Sequence, residues 1–146
     1  MPDKDKWLKA IFLNKEWHFN NESIIVGHSA GASFTLKLLE KIPNIIKINK
    51  AILVSAAANM GTRPEFFVYR KSLVGEPFNW VKIKKSCNNF YIICSNKDPY
   101  DCGIDQGKII QENVGGKLII KNGEGHFNLE KGPQYKKFPF LLDLID

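Results

Sequence analysis

The chain has 146 residues, enough for one domain with a buried core, and its 44% hydrophobic and 25% charged content is that of a globular protein. No apolar run approaches the ~20 residues that span a bilayer, and the N-terminus opens on Asp3, Lys4, Asp5 and Lys6 in place of a hydrophobic leader, so an unexported, cytoplasmic protein without a membrane partner is expected. The formal charge of +6 comes from lysines scattered along the chain with only two arginines, Arg63 and Arg70, and without a compact basic stripe nucleic acid is not expected as a partner.

In chain order, Asp3 caps a short amphipathic helix running to about Leu13, with Trp7, Leu8, Ile11 and Phe12 on one face. Asn14 to Asn21 is a connection, with His18 as a surface or packing residue and not a ligand. Ser23 to His28 is the first strand, and a helix follows from Ala30 to Lys41, stopped by Pro43. Lys50 to Ala57 is a continuous apolar run of strand length, as expected where helices cover both faces of a sheet. Residues 58–78 carry Gly61, Pro64, Gly75 and Pro77 without clean periodicity, and read as an irregular insertion at the mouth of a site.

Asn79 to Cys87 is a short amphipathic helix, Phe90 to Ser95 a third strand, Asp105 to Asn113 a helix, and Lys117 to Lys121 a fourth strand. A Gly-rich loop, Asn122 to His126, leads to a closing amphipathic helix from Gln134 to Ile145 built on Phe138, Leu141, Leu142 and Ile145, with Pro139 shortening its regular part. Alternating strands and helices imply an α/β layered domain over 1–146 with a mostly parallel sheet and right-handed crossovers. Cys87, Cys94 and Cys102 are an odd number without C-x-x-C spacing, which fits reduced thiols and no zinc site. No metal or organic cofactor is expected.

The chemistry centres on Gly27-His28-Ser29-Ala30-Gly31, between the β-branched run Ile24-Ile25-Val26 and a segment with apolar residues at helical spacing. Where a strand turns abruptly into a helix, the turn residue is forced to positive φ, and small flanking residues, here Gly27 and Gly31, relieve the crowding. Such a turn raises the Ser29 hydroxyl above the sheet edge and aims the first amide of the helix, that of Ala30, at an oxyanion. The bland alternative is a Gly-Ser turn opening an ordinary helix.

Sites in parallel sheets form beyond the carboxyl ends of the strands. That rule selects the loops holding Ser29, Asp98 and His126, which appear in the order nucleophile, acid, base of α/β-hydrolases. A serine hydroxyl needs an imidazole to take its proton, and the imidazole needs a carboxylate to fix its tautomer. Asp98 has Asp101 and Asp105 as rivals and is preferred because Pro99 stiffens the backbone beside it. His126 has His28 and His18 as rivals and is preferred for its place in Gly125-His126-Phe127 after the last strand. Phe66, Phe67, Tyr69, Phe78 and Trp80 stand near the expected mouth, as an apolar substrate pocket or as core packing of a lid.

Together, Gly27 to Gly31, Ile52 to Ala56, Trp80 to Cys87, Ser95 to Tyr100, Gly125-His126-Phe127 and Phe138 to Ile145 resemble the small serine hydrolases of the YdeN-like group, which includes a retinoblastoma-binding type. The resemblance runs along the whole chain. It implies an α/β-hydrolase three-layer sandwich that cleaves small carboxylic esters or amides, with Ser29 as nucleophile, Asp98 as orienting acid and His126 as base. Group members begin with a strand and a His-Gly loop that supplies a second oxyanion amide, well before a Met-Pro-Asp segment. Here Met1-Pro2-Asp3 comes first, so an N-terminally truncated fold is expected. A missing oxyanion donor costs about 2.7–4 kcal/mol of transition-state stabilisation. The strand carrying Ser29 would then have a free edge open to pairing with a second copy. The competing reading is a catalytically weak hydrolase-fold binding module; acyl transfer to an acceptor other than water would use the same three residues.

Overall fold

The computed structural model describes residues 1–16 and 18–146; Trp17, in the connection after the first helix, lies outside the described residues. Four strands, β1 (Ile24–His28), β2 (Ile48–Val54), β3 (Cys87–Ser95) and β4 (Lys117–Lys121), form one parallel sheet in the order β1-β2-β3-β4. Among the described residues six helices accompany them: α1 (Lys4–Leu13), α2 (Ala30–Lys41), α3 (Phe67–Val74), α4 (Trp80–Lys85), α5 (Ile104–Val114) and α6 (Leu142–Ile145). Asp3 caps α1 by accepting from the Lys6 amide at 3.0 Å. No helix among the described residues is long and apolar enough to cross a membrane.

Because the strands pair in chain order, every crossover steps the same way, and right-handed connection puts the helices on one face. There Leu36 and Leu39 of α2, Ile83 of α4 and Ile110 of α5 pack with Ala51, Leu53, Phe90 and Ile92 of the sheet. The opposite face, built on Ile52, Val54 and Ile93, is covered by Phe127 and the C-terminal segment through Leu144. The register pairs His28 with Val54, Val54 with Ile93 and Ser95 with Lys121, so the carboxyl ends of all four strands lie at one rim.

Several expected boundaries move. β2 starts at Ile48 and stops at Val54, because Ser55 turns to φ 48°. β3 begins at Cys87, which had been expected to end a helix; that helix, α4, is only Trp80–Lys85. The 58–78 stretch is not wholly irregular: a 3₁₀ turn at Pro64–Phe66 runs into α3. The buried face of α3 is Arg70, Leu73 and Val74, a helical stripe that begins with a charge and so gives no apolar period.

The closing helix is reduced to α6, preceded by 3₁₀ turns at Pro133–Lys136 and Pro139–Leu141. Pro139 lacks an amide proton and its ring blocks the preceding turn, so a continuous helix cannot pass through it. Leu144 is the buried residue of α6, while Leu142 and Ile145, expected on the apolar face, are exposed.

Candidate active site

Ser29 joins β1 to α2 with φ 56° and ψ −123°. Its amide donates to the Val54 carbonyl at 2.8 Å, continuing the β1–β2 ladder one residue beyond the strand, while its carbonyl already accepts from Ala32 and Ser33 as the first turn of α2. The strained backbone is therefore held from both sides. A serine at this helix position ordinarily caps with its hydroxyl; here it makes no cap, and the hydroxyl is free to serve another partner. Gly27 is required by space, since a Cβ there would lie 2.6 Å from the Gly31 carbonyl oxygen and 2.7 Å from Ala32 Cα. Gly31 is not, because a Cβ would meet nothing within 4 Å; only one of the two flanking glycines relieves crowding.

The partner of the hydroxyl is His126, whose Nε2 stands 2.8 Å from Ser29 Oγ across 97 positions of sequence. The other ring nitrogen, Nδ1, is 2.8 Å from Asp98 Oδ2. A carboxylate can only accept, so Nδ1 carries the proton and Nε2 is left as the acceptor for the serine O–H. Asp98 has no exposed side-chain surface. Burial by itself pushes its carboxyl up, but hydrogen bonding and charge from His126 and the Tyr100 amide on Oδ1 at 2.9 Å outweigh it, and the group is held below the usual carboxylate value. The fully buried Ser55 hydroxyl faces the same carboxylate and helps to lower it, although it lies outside hydrogen-bond geometry.

The loop that delivers His126 is bent twice into positive φ, at Gly125 (58°) and at Phe127 (53°). A bulky residue rarely adopts that conformation. Phe127 is held in it by packing, its ring stacked 5.5 Å from Phe138 and edge-on to Tyr135. The His126 ring lies between Tyr100, 4.7 Å away edge to face, and His28, 4.9 Å away. His28 donates from Nε2 to the His126 backbone carbonyl at 2.7 Å.

The structure thus brings Ser29, Asp98 and His126 together through two hydrogen bonds, and Ala30, the first residue of α2, lines the same cavity as Ser29 and His126. Of the four rivals, His28 lies beside the site with its Nε2 on the His126 carbonyl, and the other three lie elsewhere. His18 is exposed in the connection after α1, Asp105 is exposed in the first turn of α5, and Asp101 accepts from the Thr62 amide at 3.0 Å.

A cavity of about 600 Å³ opens over Ser29 and His126, walled by Phe66, Tyr69, Leu73 and Val74 from the α3 region and by Tyr100. Of the five aromatic residues expected at the mouth, Phe66 and Tyr69 line it; Phe78 and Trp80 line a neighbouring groove, and Phe67 lines neither. Tyr100 and Arg70 are the site neighbours that sequence reasoning missed, because their roles depend on loop geometry. Asp98, Cys102 and His126 offer ligand atoms within 4.8 Å of one another. The Arg70 guanidinium, 3.4 Å from Cys102 Sγ, sets a positive charge against a cation there, and burial pushes the Cys102 thiol up to about 11.

A family model described as serine hydrolase matches residues 1–146. The serine hydrolase RBBP9 of Rattus norvegicus is 29% identical over 131 residues, covering 87% of this chain and 66% of that protein, so the chain spans just under two thirds of the length of this curated relative. The ydeN gene product from B. subtilis superposes with a TM-score of 0.84 at 21% identity, over 99% of this chain and 74% of that one. The meta-cleavage product hydrolase CumD from Pseudomonas fluorescens gives 0.68 at 13% identity, over 99% and 72%, and a thermophilic esterase 0.68 at 14%, over 99% and 73%. These structural likenesses establish the α/β-hydrolase fold. With the family model running from the first residue to the last, the chain belongs to the serine hydrolase family.

Proposed function

We propose that the protein hydrolyses small carboxylic esters or amides through an acyl-enzyme on Ser29. The observation that carries this reading is the unbroken chain Ser29 Oγ, His126 Nε2, His126 Nδ1, Asp98 Oδ2, with 2.8 Å at both hydrogen bonds. In this mechanism Ser29 Oγ attacks the substrate carbonyl carbon while its proton passes to His126 Nε2. The ionised Asp98 keeps Nδ1–H in place and stabilises the imidazolium. The Ala30 amide donates to the developing oxyanion, and the dipole of α2 adds to it. His126 then protonates the leaving alcohol or amine, and water repeats the sequence with His126 as base to release the acid.

The apolar walls of the cavity, Phe66, Leu73 and Val74 above all, favour an uncharged acyl group, and no cofactor enters any step. We read 1–146 as one domain. A cytoplasmic location is our reading from three cysteines that are all free and buried. A second reading, a binding module that pairs through a strand, rests on the edge position of β1, whose Val26 is 44% exposed; it predicts a dimer in solution that survives Ser29→Ala.

The test is steady-state hydrolysis of p-nitrophenyl acetate and butyrate by the wild type and by Ser29→Ala. Turnover with an initial burst, lost by a factor of roughly 10³ or more in the variant, supports the proposal. Equal rates in the two proteins contradict it.

A further inference from the structure

We propose that Arg70 is a positioning residue, whose buried guanidinium fixes the loop carrying Asp98 and, through Asp98, the orientation of His126. The inference rests on the Ser29, His126 and Asp98 reading above and assigns the part played by α3 in it.

Arg70 is only 6% exposed, and a buried cation must find partners or it destabilises the fold. Its partners are mostly backbone. Nη2 donates to the carbonyls of Tyr100 and Asp101 at 2.7 Å each, and Nη1 donates to the carbonyl of Met60 at 3.0 Å. The nearest carboxylate oxygen, Asp101 Oδ2, is farther, at 3.4 Å from Nη1. A planar fork with fixed donors is the side chain suited to holding two carbonyls of one strand of loop and one of another.

The held carbonyls are those of the residues just after Asp98. Tyr100 also turns its amide onto Asp98 Oδ1 at 2.9 Å, so one peptide segment is gripped by Arg70 on its carbonyl side and grips the carboxylate on its amide side. Asp101 sits at φ 58°, a strained conformation, and its carboxylate receives the Thr62 amide at 3.0 Å. The two loops approach so closely that a Cβ on Gly61 would fall 2.1 Å from Asp101 Oδ2 and 2.2 Å from Arg70 Nη1. Asp101, a rival for the acid by sequence, thus belongs to this clasp. The same helix turns Tyr69 and Leu73 to the cavity, so one side chain connects a substrate-facing wall with the acid loop.

Loosening the clasp would let Asp98 drift from Nδ1. The imidazolium would lose part of its stabilisation, and the acid limb of kcat/KM would move to lower pH. Of the other groups facing His126, the His28 ring is not held by Arg70, whereas Tyr100, with its Glu130 partner, loses the donor on its carbonyl and the Cys102 thiol loses a donor as well.

The experiment is the pH dependence of p-nitrophenyl butyrate hydrolysis by wild type, Arg70→Lys and Arg70→Met, with thermal unfolding recorded for each. Arg70→Lys is expected to keep the fold and to lower kcat roughly tenfold, with KM changed less than about threefold, because a misplacement near 1 Å costs up to 10² in rate. Its acid limb should shift to lower pH. Should Arg70→Met fail to fold, Asp101→Asn supplies the second arm, with a smaller change in the same direction. Folded Arg70 variants with the wild-type kcat and an unmoved acid limb would overturn the inference alone. Absence of Ser29-dependent turnover in the wild type removes the triad reading and this inference with it.

Discussion

His28 holds the loop of His126: its Nε2 donates to the His126 carbonyl at 2.7 Å, and the two rings lie 4.9 Å apart. The residue immediately before the serine is thereby tied to the residue that contacts its hydroxyl, and the β1 turn is joined to the loop after β4. His28→Ala should cost about 1 kcal/mol in unfolding free energy, the net value of a typical hydrogen bond. Ester turnover should fall several-fold, and His28→Gln, which keeps an amide donor, should recover part of it. Urea titration and steady-state rates measured side by side would check both.

The two glycines of the turn should separate cleanly. Gly27→Ala forces a Cβ to within 2.7 Å of the α2 backbone and should destabilise by roughly 1–3 kcal/mol. Gly31→Ala meets open space at the start of a helix, where alanine is the better former, so unchanged stability or a gain of up to about 1 kcal/mol is expected. Denaturant midpoints of the two variants at equal slope give the answer.

Asp98 makes stability depend on pH in a defined direction. Its carboxyl is held below the ordinary value of 3.8, so the unfolded state binds a proton first as pH falls. The contribution is fully present above the unfolded value and is lost as pH drops through the folded one. Asp98→Asn should therefore flatten the stability curve below about pH 4, while at neutral pH it should lower turnover by about 10³–10⁴ through loss of the correct imidazole tautomer. Thermal melts from pH 3 to 7, compared with the wild type, test the first claim, and kcat at pH 7.5 tests the second.

The three cysteines should be inert in the native protein. Burial raises Cys87, Cys94 and Cys102 to about 11 each, so few thiolates exist near neutral pH. Iodoacetamide at pH 8 should leave the folded chain essentially unmodified and should label all three thiols in denaturant. Rapid native labelling of Cys102, the one that lines the cavity, would show that the clasp around Arg70 opens.

Much of the site was legible because its logic is local to strand ends. A β-branched run, a Gly-x-Ser-x-Gly turn and an amphipathic stretch announce β1, Ser29 and α2, and the strand-end placement then favours Asp98 and His126 over four rivals, Asp101, Asp105, His28 and His18. What stayed hidden depends on contacts across loops. Arg70 reads as a surface charge in any periodicity count, yet it is buried among carbonyls 30 and 31 positions away, and α3 was missed with it. Tyr100 looks like an ordinary turn residue until its amide meets Asp98 and its ring meets His126. The apolar spacing of the C-terminal segment is helical and predicts one helix from Gln134 to Ile145. Pro139 breaks it into short turns, and Leu144 supplies the burial instead of Leu142.

The most direct measurement is intact-protein and peptide mass spectrometry after incubation with a fluorophosphonate, which phosphonylates only a serine whose hydroxyl is activated by a neighbouring base. The account predicts a single stoichiometric adduct on the peptide containing Ser29, absent in Ser29→Ala and strongly slowed in His126→Ala. A folded wild-type protein that takes up no adduct, or takes it up equally in Ser29→Ala, would contradict it.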